Sequence, residues 1–312
     1  TDLQTAGNPR ISAEGSRIYF ETAERLEATD LEAGHTDVYV RTNRAATTLI
    51  STGSAPGAGF ANAEALLQAI SGDGSVAVFS TPEKLENTDQ DANEADFYAR
   101  AGSVTSLVST GSAAGADGGG FTFVFDAISD DGERIFFSTN GKMVNADTDG
   151  NHGDVYERSG GSTKLISTGS APNVNTAPLD IYYNGSSSDG SMVFIDTDVT
   201  LEPVDTDGGK LDVYQRTNGA TTLLSTGSAA GANSGQFDAF IYNYTPDGSH
   251  VLMDVEGVLE PADKDAKYDV YERTGNTTTL VSIGPKAGSD ATSADSFGDG
   301  ISSDGSRIIF ET

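Results

Sequence analysis

The sequence predicts an all-β fold built from one repeated unit, and three observations predict it. A glycine in a tight turn recurs at Gly15, Gly74, Gly132, Gly190, Gly248 and Gly305, with spacings of 59, 58, 58, 58 and 57 residues. A short apolar run follows every one of these turns, which is how strands bounded by Asp-Gly turns read. No segment sustains an apolar period of about 3.6 residues, so helix should be scarce. A repeat of this length sets the architecture before any single motif does.

The elements of the unit follow in order. A first strand is expected at Ile18–Phe20, Val76–Phe79, Ile135–Phe137, Met192–Ile195, Val251–Met253 and Ile308–Phe310. An acidic loop comes next, and then a second strand opening on Asp-Val-Tyr or Asp-Phe-Tyr. A turn such as Asn218-Gly219 leads to a third strand at Leu49–Ile50, Leu107–Val108, Leu165–Ile166, Leu223–Leu224 and Leu280–Val281. Ser-Thr-Gly-Ser segments around Gly53, Gly111, Gly169 and Gly227, with a variant at Gly284, lead through a looser stretch to a fourth. Four strands per unit with glycine-rich turns is the pattern of a β-propeller blade.

Six turns but only five acidic loops are present, so the expected fold is a six-bladed β-propeller occupying residues 1–312 as one domain, its sixth blade incomplete. The opening Thr1–Gly7 is similar to Thr221–Gly227. It is expected to supply an outer strand to that blade, closing the ring between the two termini and protecting the open edge.

The Ser-x-Asp-Gly-Ser-Arg-Ile-x-Phe stretch ending at Phe310 resembles the WD40-like repeat of TolB-type six-bladed propellers. The Asp-x-Asp…Asp-Val-Tyr-Glu-Arg unit followed by Thr-Thr-Leu-Val-Ser resembles a bacterial subgroup of those proteins. The resemblance spans nearly the whole chain and implies the propeller fold. It leaves function open, because such propellers serve as scaffolds, sensors and enzymes.

Composition narrows the partners. The chain carries 47 acidic and 18 basic residues, a formal charge of −29, which excludes a nucleic-acid surface built on basic patches. No apolar run approaches eighteen residues, so no membrane insertion by a helix is expected. Cysteine is absent, which removes disulfide and thiolate chemistry and fits an exported bacterial protein. No leader is visible at Thr1, which reads as either a mature, already cleaved chain or a cytosolic one; on the first reading the expected setting is extracytoplasmic, with the signal peptide removed.

The acidic loops are the candidate metal sites. They comprise Asp30, Glu32 and Asp37; Asp89, Asp91 and Asp96; Asp147, Asp149 and Asp154; Asp205, Asp207 and Asp212; and Asp263, Asp265 and Asp269. Four copies keep offsets of two and seven residues, while the fifth is one residue shorter and holds Lys264 and Lys267, making it the weakest. Clustered carboxylates on a loop suit a hard cation, and with several carboxylates and no phosphate partner calcium is expected over magnesium. Five divalent ions would reduce −29 to about −19, relieving self-repulsion. An EF-hand is excluded, since its twelfth position falls on Arg41, Arg100, Arg158 and Arg216. The fifth position is Gly34, Asn93, Asn151, Gly209 or Lys267, of which Asn93 and Asn151 can offer an amide oxygen. The competing reading is a set of solvated turns in which Asp caps its own backbone.

Other columns complete the pattern. Arg41, Arg100, Arg158, Arg216 and Arg273 share a strand face with the Asp and Tyr and are expected to form structural ion pairs. Glu64, Thr122, Asp180, Asp238 and Asp295 align at the start of the inner strand, either as a carboxylate ring in a central channel or, more plainly, at the surface. The aromatic residues Phe121, Phe123, Phe125, Tyr182 and Tyr183 are expected in the core. His35, His152 and His250 are read as falling at unrelated repeat positions, two of them within acidic loops, and no metalloprotease, nucleophile-elbow or phosphate-loop motif occurs.

The expected function is therefore a calcium-binding propeller acting as a non-catalytic binding or structural module, meeting a protein or glycan partner at the acidic-loop end. The alternatives are a glycan-active or other hydrolase or lyase using the central channel, and a self-assembling subunit whose incomplete blade accepts a neighbour's strand.

Overall fold

The computed structural model describes residues 9–312 except 32–33, 59–62, 92–93, 119, 150, 173, 177–179, 233–236, 266 and 285–293. Its described residues form 22 strands and one short 3-10 turn at Val174–Thr176. The strands make five four-stranded antiparallel sheets and one two-stranded sheet, numbered here as blades 1 to 6.

Blade 1 contains β1 (Arg10–Ile11), β2 (Arg17–Thr22), β3 (Asp37–Thr42) and β4 (Ala46–Leu49); blade 2 contains β5 (Leu66–Ile70), β6 (Val76–Thr81), β7 (Asp96–Ala101) and β8 (Val104–Leu107). Blade 3 contains β9 (Phe123–Ile128), β10 (Arg134–Thr139), β11 (Asp154–Ser159) and β12 (Ser162–Leu165). Blade 4 contains β13 (Tyr182–Ser186), β14 (Met192–Thr197), β15 (Asp212–Thr217) and β16 (Ala220–Leu223). Blade 5 contains β17 (Ala239–Tyr244), β18 (His250–Val255), β19 (Asp269–Thr274) and β20 (Thr277–Leu280), and blade 6 contains β21 (Phe297–Ile301) and β22 (Ile308–Glu311). Within each sheet the strands lie in chain order, the meander of a propeller blade. The expected all-β class and the blade pattern are observed. The strand expected from Thr1–Gly7 lies outside the described residues.

The turn glycines explain the regular start of each blade. From Gly15 to Gly305 all six have φ between +66° and +74°, a conformation open to glycine at little cost. The Asp before five of them accepts the N–H two residues on, as Asp73 does from Ser75 at 2.8 Å and Asp304 from Ser306 at 3.0 Å. That Asx turn fixes the hairpin locally. The register then places the last residue of the second strand opposite the first of the third: Thr22 faces Asp37, Thr81 faces Asp96, Thr197 faces Asp212 and Val255 faces Asp269.

The chain divides into two compact units, residues 1–147 with 156–165, and residues 148–155 with 166–312. In the first, the faces of neighbouring sheets bury Val38, Phe79, Leu85 and Tyr98 in one cluster and Val78, Phe137, Met143 and Tyr156 in another. In the second, Phe194, Val213, Met253, Leu259 and Tyr271 form the equivalent core. Strands buried on both faces need consecutive apolar residues rather than alternation, which is why the runs at Val76–Phe79 and Met192–Ile195 read as they do.

Successive blades are stapled at the Ser-Thr-Gly-Ser segments. A Cβ on Gly53, Gly169 or Gly227 would overlap the carbonyl oxygen of Leu85, Leu201 or Leu259 in the following blade. The alanine two residues on donates its N–H to that same carbonyl, at 2.9 Å in all three cases. The intervening serines Ser54 and Ser228 bond Glu86 and Glu260 through N–H and hydroxyl. Glycine is thus required by close backbone approach rather than by φ.

Two expectations about side-chain placement are corrected. Tyr182 is 61% exposed, not core, because it begins an inner strand with its ring outward; Phe123 and Phe125 do pack on buried Phe97. The arginine column makes no ion pair among the described residues. Arg100, Arg216 and Arg273 instead donate to Thr105, Thr221 and Thr278 on the neighbouring strand, and to the carbonyls of Thr52, Thr168 and Thr226 one blade back. Burial lowers the pKa of these guanidinium groups, and carbonyl and hydroxyl oxygens accept from them where a carboxylate was expected.

Candidate metal centre

Each acidic loop hangs between the second and third strands, and its two end carboxylates are fixed by neutral donors. The first Asp accepts the hydroxyl of the strand tyrosine: Tyr39 to Asp30 at 2.5 Å, Tyr98 to Asp89 at 2.6 Å, Tyr156 to Asp147 at 2.7 Å, Tyr214 to Asp205 at 2.6 Å and Tyr271 to Asp263 at 2.5 Å. The last Asp accepts the hydroxyl of the serine that opens Ser-Thr-Gly: Ser51 to Asp37 at 2.6 Å, Ser109 to Asp96, Ser167 to Asp154 and Ser225 to Asp212 at 2.5 Å, and Ser282 to Asp269 at 2.6 Å. Each serine Oγ in turn accepts a strand N–H, as from Phe97 at 2.9 Å. The tyrosine partner is visible in the repeat, while the serine partner lies 13 or 14 residues downstream and was missed.

These bonds occupy one oxygen of each end carboxylate and aim the other inward. Four sets bring a ligand oxygen from every member within 4.8 Å of one another: Asp89, Asp91 and Asp96; Asp147, Asp149 and Asp154; Asp205, Asp207 and Asp212; and Asp263, Asp265 and Asp269. The shortened fifth loop therefore gathers its carboxylates as the others do. In the first copy Asp30 and Asp37 are held by the same hydroxyls, but Glu32 lies outside the described residues. There Arg25 also stands 3.9 Å from Asp30.

Blade 2 gives the clearest test of fit. Asp89 and Asp96 are each 2% exposed. Asp89 Oδ1, Asp91 Oδ1 and Asp96 Oδ2 are buried with no hydrogen-bond partner. An unpartnered buried oxygen is costly, and three converging on one point are costlier still unless a cation joins them. Burial, offset in part by Ser109 and reinforced by Asp91 and Asp89, pushes the Asp96 carboxyl up to about 8. Burial likewise raises Asp212 to about 8, against the Ser225 hydrogen bond and with Asp207 and Asp205 adding to the rise. All-carboxylate oxygen donors of this kind fit a hard divalent ion.

Backbone geometry gives a second reason for the residues at the fifth loop position. Gly34, Asn151 and Gly209 have φ of +83°, +72° and +84°. Glycine and asparagine suit these three copies because the loop enters the left-handed region there, which these two residues reach most readily. Asn151 is exposed, and Asn93 lies outside the described residues.

The column at the start of the inner strand also has a definite task. Glu64, Asp180, Asp238 and Asp295 accept the N–H of Thr36, Gly153, Leu211 and Tyr268, at 2.8, 2.6, 3.0 and 3.2 Å. Each donor directly precedes the strand-opening Asp of the previous blade, so the carboxylate latches one blade to the acidic loop of its neighbour. The plainer surface placement is the observed one, with Glu64 and Asp180 half exposed. His35, His152 and Lys210 lie 3.7, 3.7 and 3.9 Å from Glu64, Asp180 and Asp238. His35 and His152 thus do share a repeat position, two residues before the strand Asp. Blade 2 is the exception on both sides, with Glu94 at the basic position and Thr122 at the acidic one.

Neither a protein-family model nor a curated protein matches the chain. Among solved structures it is similar to the β-propeller domain of the trilobed protease from Pyrococcus furiosus, at 11% identity, covering 89% of this chain and 71% of that one, with a TM-score of 0.41. It is similar to a TolB-type protein from Agrobacterium tumefaciens at 13% identity, covering 89% and 81%, with a TM-score of 0.37. It is also similar to an acylaminoacyl peptidase from Pyrococcus horikoshii at 13% identity, covering 95% of this chain but only 41% of that one, with a TM-score of 0.40. β-Propeller domains are thus among its structural neighbours.

Proposed function

We propose that this chain is a calcium-stabilised β-propeller module that works by binding or scaffolding outside the cytoplasm, with no catalytic step of its own. The observation that carries the reading is the convergence of three buried, unpartnered oxygens from Asp89, Asp91 and Asp96. A bound dication would neutralise them, displace the proton that burial holds on Asp96, and tie the loop to its strand. The same loops lie beside the blade-to-blade latches, so each ion would stiffen a junction as well as a blade. Calcium is favoured by the flexible, carboxylate-rich donor set, and weak sites of this class fill where calcium is abundant, as it is outside cells. A protein or glycan partner would then meet a rigid acidic-loop end at low ordering cost.

The test is calorimetric melting of the full chain in calcium and in EDTA. Each ion held at 100 times its dissociation constant adds about 2.7 kcal/mol, so several sites should raise the melting temperature by many degrees. An unchanged melt in EDTA would sink the reading.

A further inference from the structure

The connection that leaves blade 2 brings a further carboxylate to its acidic loop. Asp117 Oδ2 accepts the N–H of Gln90, the residue between Asp89 and Asp91, at 2.7 Å. Its other oxygen, Oδ1, is buried and has no hydrogen-bond partner, the same condition as Asp89 Oδ1, Asp91 Oδ1 and Asp96 Oδ2. Four carboxylates therefore present four unsatisfied buried oxygens around one loop. The nearby base does not answer them, because the Lys84 ammonium bonds the Asp89 carbonyl. A cation placed among these oxygens would offset the cost of burying them unpaired.

Resting on the divalent-cation reading above, we infer that Asp117 is a fourth carboxylate of the blade 2 cation site, delivered by the segment that runs on to blade 3. The three loop oxygens lie within 4.8 Å of one another and Asp117 stands outside that set. It would therefore hold the ion through an intervening water rather than directly, as outer groups of calcium sites do. The ion would join two chain segments rather than one, pinning the acidic loop to the outgoing connection.

The next repeat carries the same anchor in another form. Thr148, which aligns with Gln90, donates its hydroxyl to the Asn175 carbonyl at 2.7 Å, and Asn175 aligns with Asp117. The connection is tied to the loop again, with an amide where blade 2 has a carboxylate. In the sequence the same register falls on Gly59, Asn233 and Asp290, all outside the described residues. Blade 2 thus combines a full loop triad with a charged fourth group, and its site should be the tightest in blades 2 to 4.

Calcium chloride titration of the full chain by isothermal calorimetry, with Asp117→Asn and Asp91→Asn beside the wild type, tests this. Asparagine keeps an oxygen for the Gln90 N–H and removes only the charge. The expected result for Asp117→Asn is an unchanged number of ions, with the tightest class weakened about 10- to 100-fold. In EDTA the variant should melt no lower than the wild type, because a carboxylate repelling Asp89 and Asp91 has gone. An Asp117→Asn isotherm that superimposes on the wild type, while Asp91→Asn loses an ion, would overturn the inference and leave the cation reading standing. An EDTA melt that falls as far as the calcium melt would overturn it too, assigning Asp117 to loop anchoring alone. A wild type that takes up no calcium would remove both.

Discussion

Tyr98 illustrates how single residues build the site. Its hydroxyl donates to Asp89 at 2.6 Å while accepting the Leu85 N–H at 3.3 Å, so one buried group orients a carboxylate and satisfies an amide. Tyr98→Phe leaves both unpaired and should cost about 1–3 kcal/mol in urea unfolding, with calcium affinity falling alongside. Gly169 is held by a different constraint, the carbonyl of Leu201. Gly169→Ala should destabilise by about 3 kcal/mol through forced separation of two blades, and a loss under 0.5 kcal/mol would refute the close approach. Asp196 carries the pH response: burial, against hydrogen bonds from the Ile241 N–H and Asn184, raises its carboxyl to about 7. Because that lies above the unfolded value of about 4, its contribution is intact below pH 4 and is lost as pH rises to about 7. Asp196→Asn should therefore match the wild type near pH 4 and exceed it by a few kcal/mol at pH 8, measured by denaturant unfolding in saturating calcium. The Tyr and Asp positions were legible in the repeat because they are close in sequence. Ser109 and Asp117 were not, since only the folded return of the chain brings them back to the loop.

The latch is a property of elements rather than of any one residue. Where the inner strand opens on Glu64, Asp180 or Asp238, the preceding acidic loop supplies a base at His35, His152 or Lys210. Blade 2 replaces both partners, with Glu94 and Thr122, so no like-charge pair arises. Thr122→Asp alone should be neutral or slightly destabilising. Combined with Glu94→Lys, it should recover about 0.5–1 kcal/mol of coupling in a double-mutant cycle. Zero coupling would mean the charges are solvated and the backbone N–H alone makes the latch. The strand elements were legible because glycine turns and apolar runs mark them locally. At the fifth loop position the left-handed φ of Asn151 is a second reason for asparagine, beside the amide oxygen it can offer. The arginine column was misread because carboxylates lie near it in sequence, whereas its hydroxyl and carbonyl partners come from a neighbouring strand and the previous blade.

At the scale of the molecule, the net charge of −29 and the buried aspartates belong to one problem. Without cations, burial opposes ionisation of Asp96 and Asp212, so folding and charge compete in the acidic loops of blades 2 and 4. The divalent ions proposed here would relieve that competition and ease the long-range repulsion together. The repeat made the all-β class and the blade pattern readable, because fifty-eight residues recur with little drift. The central claim is that the aspartate triads are cation sites, and crystals of the full chain grown in calcium test it through anomalous scattering. The account predicts peaks between Asp89, Asp91 and Asp96 and at the matching triads of blades 3, 4 and 5. Calcium-saturated crystals with no anomalous peak at any triad would contradict it.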